Sequence, residues 1–540
     1  MPSFAETVIN QKYAQSLPNG EKETWPEVGH RVASNVLSVV PNVNGQVPHT
    51  AQTIASKKFI PGGRYLANSG ARFNQVNNCL LLRAEDSREG WGEIMQKMTT
   101  ASMTGAGLGI DYSALREKGA PVKGMRGTSS GPLALMYMVN EAGRYIKQGG
   151  HRRVALWAGL KWNHPDVFDF IALKDWDEET KERKNRDFSA YAPMDLTNIS
   201  VQLDDDFFEA YHKGDSWAHD VYWAVVQHML ETGEPGFSID TGSKRNETLR
   251  NACTEITSED DSDVCNLGSL NMAAIETRDQ WQEAIAVGTE LLLAGTLYSS
   301  VPYPKVAEVR EKNRRLGLGL MGIHEWLLKR GKTYDPDEEL AEWLGDYQRI
   351  SDEVAHGLAD QWGISRPVAT RAVAPTGTLA IVGETTSSIE PVFCKAMKRR
   401  YYGSDDKWHY QYIVDATVSR LIERGVDPDT IEDAYELSHD VERRVGFQKF
   451  VQGFVDQGVS STINLPQWGS ETNNPDTVKP FGDMLINYLP HLRGITSYPD
   501  GSRGGQPLSV ADLSVALANE GVDYEEAGNE ASCNSGSCGI

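Results

Sequence analysis

The run Arg314-Arg315-Leu316-Gly317-Leu318-Gly319-Leu320-Met321-Gly322 reads as a buried strand whose glycines let a neighbouring segment approach closely. Shorter segments of the same kind, Asn78-Cys79-Leu80-Leu81-Leu82 and Asn198-Ile199-Ser200-Val201, alternate with helical patterning along the chain. That alternation favours an α/β architecture. Ahead of it, residues 1–55 carry helical patterning (Trp25 to Val40) broken at Pro18-Asn19-Gly20 and Pro41-Asn42-Val43-Asn44-Gly45, which predicts a small helical lead-in.

At 540 residues the chain is long enough for several ordinary domains or for one large α/β barrel with additions. A net charge of −22 disfavours adhesion to nucleic acid or to anionic membranes, both of which attract basic surfaces. No basic segment followed by an apolar one opens the chain, and the most apolar run, Leu291-Leu292-Leu293-Ala294, has the length of a core helix. Six cysteines in so long a chain do not make a secreted disulfide scaffold. They fit a reducing cytoplasm in which cysteine is used for chemistry.

The segment with the most chemistry is Arg250-Asn251-Ala252-Cys253-Thr254-Glu255-Ile256. If extended, its period of two turns Cys253, Glu255 and Asn251 to one side, gathering a thiol, an acid/base and an amide. Cys265 follows in Val264-Cys265-Asn266-Leu267-Gly268-Ser269, and Cys79 lies far upstream. Ala374-Pro375-Thr376-Gly377-Thr378 is a turn able to cradle phosphate with backbone amides and hydroxyls, without the lysine of a Walker loop. Two basic glycine-rich loops, Arg116 to Gly127 and Lys147 to Arg153, have the make-up of phosphate-binding loops or of plain solvated loops. Gly105-Ala106-Gly107-Leu108-Gly109-Ile110 lacks the full dinucleotide fingerprint, and the charged stretch Lys174 to Asp187 reads as a solvated helix face. The chain ends in a glycine/serine tail bearing Cys533 and Cys538, a pair able to swing into an interior site.

Taken together, Asn78-Cys79, Asn251-Ala252-Cys253-Thr254-Glu255, Cys265-Asn266-Leu267-Gly268-Ser269, Pro375-Thr376-Gly377-Thr378, Ser388-Ile389-Glu390-Pro391-Val392-Phe393 and the tail cysteines resemble, in content and order, the catalytic subunit of ribonucleotide reductase. The resemblance implies a ten-stranded α/β barrel of two parallel five-stranded halves over residues 56–510, with a central finger loop carrying the radical cysteine, and a flexible redox tail over 511–540. It implies that Cys253 becomes a thiyl radical and removes the 3′ hydrogen of a ribonucleotide, that Glu255 takes the 3′ hydroxyl proton, and that Asn251 holds the substrate. Cys79 and Cys265 would deliver two electrons and end as a disulfide, which Cys533 and Cys538 would reduce before thioredoxin or glutaredoxin resets the tail. Asn78, Pro375, Thr376, Gly377 and Thr378 match substrate-binding positions. Asp86, with Arg116, Lys123 and Arg126 of the first basic loop and with the loop Lys147 to Arg153, falls where the family binds deoxynucleotide or ATP effectors. Cys394 matches no role and reads as structural. The compact family type points to a homodimer, with a monomer left as the alternative.

Family members differ in their radical source. The segment Tyr498-Pro499-Asp500-Gly501-Ser502-Arg503 and the stretch Ala192 to Val201 look like the short adenosylcobalamin-dependent class II type. The strand before Arg503 carries one tyrosine where a partner-subunit enzyme has two, and Tyr401-Tyr402 sits in the wrong place for that relay, as an ordinary strand pair would. The chain also looks too short at its start for an ATP-binding cone. The alternatives are a class I large subunit whose radical comes from a metal-containing partner subunit, a catalytically dead nucleotide-binding regulator, and a plain dithiol oxidoreductase.

Overall fold

The computed structural model describes residues 3–41, 45–77, 79–124, 126–148, 152–187, 190–402, 408–502 and 508–525. The chain starts with three helices, α1 (Phe4–Lys12), α2 (Trp25–Leu37) and α3 (Gln46–Ala55). Ser3 with Glu6 and Thr24 with Glu27 form capping boxes that satisfy free N–H groups at the starts of α1 and α2. Val28, Val32 and Val36, four residues apart on α2, are fully buried in a core they share with Phe59 and Leu291.

After β1 (Phe59–Pro61), five strands lie side by side and parallel: β2 (Cys79–Arg83), β3 (Gly107–Asp111), β4 (Leu156–Lys161), β5 (Thr197–Asp204) and β6 (Gly236–Asp240). Parallel neighbours need long crossovers. Here α4 (Arg88–Met103), α5 (Pro132–Arg144) and α6 (Ser216–Glu231) supply three of them. Strand alternation sorts the side chains into two cores. Leu80, Leu82, Leu108 and Ile110 pack outward against Ile94 and Met98 of α4 and Leu135 and Val139 of α5, whereas Cys79 and Leu81 point the other way into a small cluster with Leu249, Ile256, Cys265, Leu267 and Ala372.

The short strands β7 (Leu249–Arg250) and β8 (Thr257–Ser258) pair antiparallel as the stem of a hairpin. Next, β9 (Asp263–Asn271) runs antiparallel to β2 and to β1, and parallel to β10 (Leu316–Met321). The crossover between β9 and β10 contains α7 (Arg278–Tyr298), where Leu291-Leu292-Leu293-Ala294 is buried as a core helix should be. At the other end of the sheet, β11 (Thr462–Leu465) is parallel to β12 (Gly494–Pro499), and β12 is antiparallel to β6. Between β10 and β11 the ladder continues through residues 369–373. The Leu318 N–H donates to Thr370 O (3.0 Å), Ala372 N–H to Leu318 O (3.2 Å), Val373 N–H to Gly458 O (3.1 Å) and Ser460 N–H to Val373 O (2.9 Å).

The sheet has ten strands, in keeping with the expected architecture. One detail differs. The 369–373 segment takes part through isolated bridges and not as a regular strand, and β1 brings the count to ten. Gly317 and Gly319 of β10 behave as the sequence predicts: a Cβ on Gly319 would stand 2.7 Å from Ala372 O. The charged stretch before Asp187 is less solvated than expected. It forms a helix, Glu178–Arg186, in which Lys184 is buried and pairs with Asp195 at 2.6 Å, beside Arg144, also at 2.6 Å. Tyr401-Tyr402 lies in a separate four-stranded antiparallel sheet, on the strand Ala396–Tyr402. Among the described residues no helix is long and apolar enough to cross a membrane.

Candidate active site

The central segment is not extended. Arg250 pairs with Thr257 and Leu249 with Ser258, so residues 251–256 form the tip of a hairpin, and Thr254 takes a left-handed conformation (φ 66°). The expectation that a period of two would align Asn251, Cys253 and Glu255 therefore does not hold. The turn buries Asn251 (0% exposed) and Glu255 (1%) and leaves Cys253 exposed at the tip.

Both halves of the sheet hold this hairpin. From the first half, Asn198 of β5 donates to Ala252 O (3.3 Å), and Arg250, fully buried, donates to the Asp240 carboxylate (2.6 Å) and to Ile239 O (3.1 Å) at the end of β6. From the second, the Gly458 N–H donates to Glu255 O at 2.7 Å. Two glycines make room for the fit. A Cβ on Gly109 of β3 would lie 1.8 Å from Arg250 O, and one on Gly458 would lie 2.8 Å from Thr254 O. Gly109 belongs to the glycine run that resembled a partial dinucleotide fingerprint. Its role is to let the stem of the hairpin pass.

Cys79 and Cys265 are direct cross-strand partners on β2 and β9. Residues so opposed have Cα atoms about 4.5–5.5 Å apart, within reach of a disulfide. Both are free thiols here, and both are buried. The Asn251 side-chain N–H donates to Cys79 Sγ at 3.0 Å, and Asn251 Oδ1 accepts from the Ile256 N–H at 3.0 Å. The hairpin tip and the thiol pair thus form one site.

Depth governs the protonation of these groups. Burial lifts the Glu255 carboxyl from its ordinary 4.5 up to about 7, with the Asn251 amide pulling the other way. Glu255 Oε2 is buried and has no hydrogen-bond partner among the described residues. Burial also raises the Cys253 thiol, helped by the Glu255 charge, because the tip touches solvent yet lies deep among the strands. Cys79 is raised well above the usual thiol value by burial and then by Glu255, against the Asn251 hydrogen bond. Cys265 is raised by burial, against the pull of the Arg315 guanidinium.

The remaining sequence-derived residues fall in three places. Thr376 is buried in a left-handed conformation (φ 52°), and its hydroxyl oxygen accepts from the Ser388 N–H (2.7 Å). Gly377 and Thr378 open the short helix α8 (Gly377–Gly383), with Pro375 and Gly377 exposed. Asp86 and Arg116 come together as an ion pair at 2.8 Å, whereas Lys123 and Arg126 are exposed on a loop tied by the Val122 N–H to Gly127 O (3.1 Å). Asn78, Cys533 and Cys538 lie outside the described residues. Cys394 is buried (1% exposed), and burial pushes its thiol up to about 12, as suits a structural residue. Sequence reading did not single out Arg315, Gly458 or Asn198. Arg315 alone had a signal, as a charge at the mouth of an apolar strand run.

A ten-stranded sheet of mostly parallel strands surrounds a cysteine-tipped hairpin that two further thiols face, which makes this an α/β barrel protein with a cysteine-lined centre. Residues 77–220, 218–344 and 363–488 match the family model of the ribonucleotide reductase barrel domain, and the chain belongs to that family. It is 26% identical to a vitamin B12-dependent ribonucleoside-diphosphate reductase of Mycobacterium tuberculosis, over 88% of this chain and 73% of that protein. It is 25% identical to a protein of the same description from Thermoplasma acidophilum, over 87% and 67%. A Mycobacterium phage D29 protein, provisionally named an adenosylcobalamin-dependent ribonucleoside-triphosphate reductase, is 25% identical over 99% and 98%.

Proposed function

We propose that this chain reduces ribonucleotides to 2′-deoxyribonucleotides as a class II ribonucleotide reductase. The observation that carries this reading is the convergence of Cys253, Glu255 and Asn251 on one hairpin tip with the opposed pair Cys79 and Cys265. Its relatives' names point to adenosylcobalamin as the cofactor. The fit is reasonable on the protein's side: Cys253 is the one exposed thiol among the four described cysteines, so a bulky cofactor can reach it. When bound, adenosylcobalamin supplies a radical by cleavage of its cobalt–carbon bond.

In this reading Cys253 carries the radical and takes the 3′ hydrogen of the ribose. Glu255, poised near neutrality, accepts the 3′ hydroxyl proton when ionised and gives it back later. The 2′ hydroxyl takes a proton from the Cys79 and Cys265 pair and leaves as water; the two thiols supply two electrons and two protons in all and become a disulfide, and Cys253 returns the hydrogen to C3′. Cys533 and Cys538 would then reduce that disulfide and be reset by thioredoxin or glutaredoxin. Thr376, Gly377 and Thr378 offer backbone amides at a helix start for the substrate phosphates, while Pro375, which has no N–H, fixes the turn before them, with Asn78 beside Cys79. The ion-paired Asp86 and Arg116, with Lys123 and Arg126, form the effector-binding loops of a homodimer.

The test is anaerobic conversion of CDP and CTP by the purified chain alone, with dithiothreitol and mixed effectors, with and without adenosylcobalamin. Deoxynucleotide formed only with the cofactor supports the proposal, and the preferred substrate identifies the phosphate requirement. A folded, nucleotide-binding chain inactive in both arms would overturn the class II reading in favour of a radical supplied by a partner subunit.

A further inference from the structure

The two thiols of the opposed pair are not equivalent. Cys79 keeps 6% exposure and Cys265 none. Cys265 lies beside Arg315: the parallel register pairs Asn266 with Leu316, so one step earlier Cys265 stands alongside Arg315. Two residues on, a Cβ at Gly317 would come 3.0 Å from Cys265 Sγ, so this face of β10 looks onto the thiol. Arg315 is itself fixed. It is 3% exposed, its Nε donates to Asp263 Oδ2 at 2.9 Å, and its terminal nitrogens reach Gln457 Oε1 (3.5 Å) and Ser258 Oγ (3.4 Å). The guanidinium pulls the Cys265 thiol down against burial, while Asp263, Glu255 and Asp456 push it up. The groups bearing on Cys79 are the Asn251 amide, the Glu255 carboxylate and the other two thiols.

Building on the proposed function, we infer that the Cys79–Cys265 disulfide reopens with one polarity: an incoming thiolate attacks Cys79, and Cys265 leaves as a thiolate stabilised by Arg315. Arg315 is then a positioning residue that acts through Cys265. The incoming sulfur bonds to Cys79 Sγ, the Cys79–Cys265 bond breaks, and its electron pair stays on Cys265 Sγ. The second thiolate of the same dithiol then attacks the incoming sulfur and expels Cys79. The dithiol is oxidised to its disulfide, the pair gains two electrons, and the two protons the dithiol gives up restore the two thiols. Exchange favours the accessible sulfur as the point of attack and the better-stabilised thiolate as the leaving group.

The test uses the full chain with Cys533→Ser and Cys538→Ser, so that added thiol is the only reductant. The protein is oxidised with diamide, treated briefly with 2-mercaptoethanol, acid-quenched, digested with pepsin and mapped by mass spectrometry. The adduct is expected on Cys79, with Cys265 free, a result that needs no substitution at Arg315. Reduction by dithiothreitol should slow about ten-fold in Arg315→Gln, less in the charge-balanced Arg315→Gln/Asp263→Asn, where the opposing Asp263 charge goes as well, and stay within about three-fold of the parent in Arg315→Lys. An adduct on Cys265 overturns the polarity, and an unchanged rate in Arg315→Gln overturns the part given to Arg315. If oxidation yields no Cys79–Cys265 disulfide at all, the redox-pair reading beneath it falls as well.

Discussion

The Asn251 side chain donates to Cys79 Sγ at 3.0 Å, tying the tip of the hairpin to the thiol pair on the surrounding strands. Asn251 lies 172 positions further along the chain than Cys79. The hairpin that carries Cys253 and the strands that carry Cys79 and Cys265 are therefore coupled through one buried amide, and changes at either are expected to be felt at both.

Cys253→Ser should reduce deoxynucleotide formation by more than about 10³-fold, since a hydroxyl does not replace a thiol in hydrogen abstraction. Oxidation and reduction of Cys79 and Cys265 should persist. Product assay together with thiol mapping on the same sample separates the two.

Glu255→Gln tests the raised carboxyl in two ways. If the ionised carboxylate is the base, parent activity should rise with pH through about 7, and the variant should lose that limb. For stability the sign follows from a folded-state value above the unfolded 4.5. The protonated carboxyl is tolerated below pH 4.5, and its stabilising contribution is lost as pH rises through about 7. The amide variant should therefore be more stable than the parent by about 2–4 kcal/mol at pH 8 and equal to it near pH 4. Chemical denaturation at the two pH values measures this.

Gly109→Ala places a Cβ 1.8 Å from the Arg250 carbonyl, a backbone atom with no rotamer to yield. It should cost about 3 kcal/mol or more and displace the hairpin. Gly345→Ala is the counter-case. It lies within the helix Glu338–Trp362 with nothing within 4 Å of the added carbon, and it should stabilise by about 0.5–1 kcal/mol. Melting curves of the two variants should move in opposite directions.

Asp240→Asn removes the carboxylate that Arg250 meets at 2.6 Å and leaves a fully buried guanidinium without its ion pair. The expected cost is about 3–5 kcal/mol. Because Arg250 is the last strand residue before the tip, alkylation of Cys253 should also quicken as the stem loosens, which timed iodoacetamide labelling can read.

Much of this protein is local and was legible in its residues. The helical patterning that begins at Trp25, the buried run in α7 and the glycine-spaced strand Leu316–Met321 each follow from side-chain pattern and backbone preference within a few residues. The cysteines and Glu255 stood out by type and order along the chain, and the structure brings Cys79, Cys253, Glu255 and Cys265 together. What the sequence could not decide is how distant segments meet. Strand register alone sets Cys265 opposite Cys79, and only the passage of the hairpin over Gly109 explains why that position has no side chain. The extended form assumed for residues 250–256 failed because the stem pairing of Leu249–Arg250 with Thr257–Ser258 forces a turn between them, through the left-handed Thr254. Burial of Glu255 and placement of Arg315 beside Cys265 likewise arise where the two halves of the sheet come together, so the protonation of the site belongs to the tertiary structure.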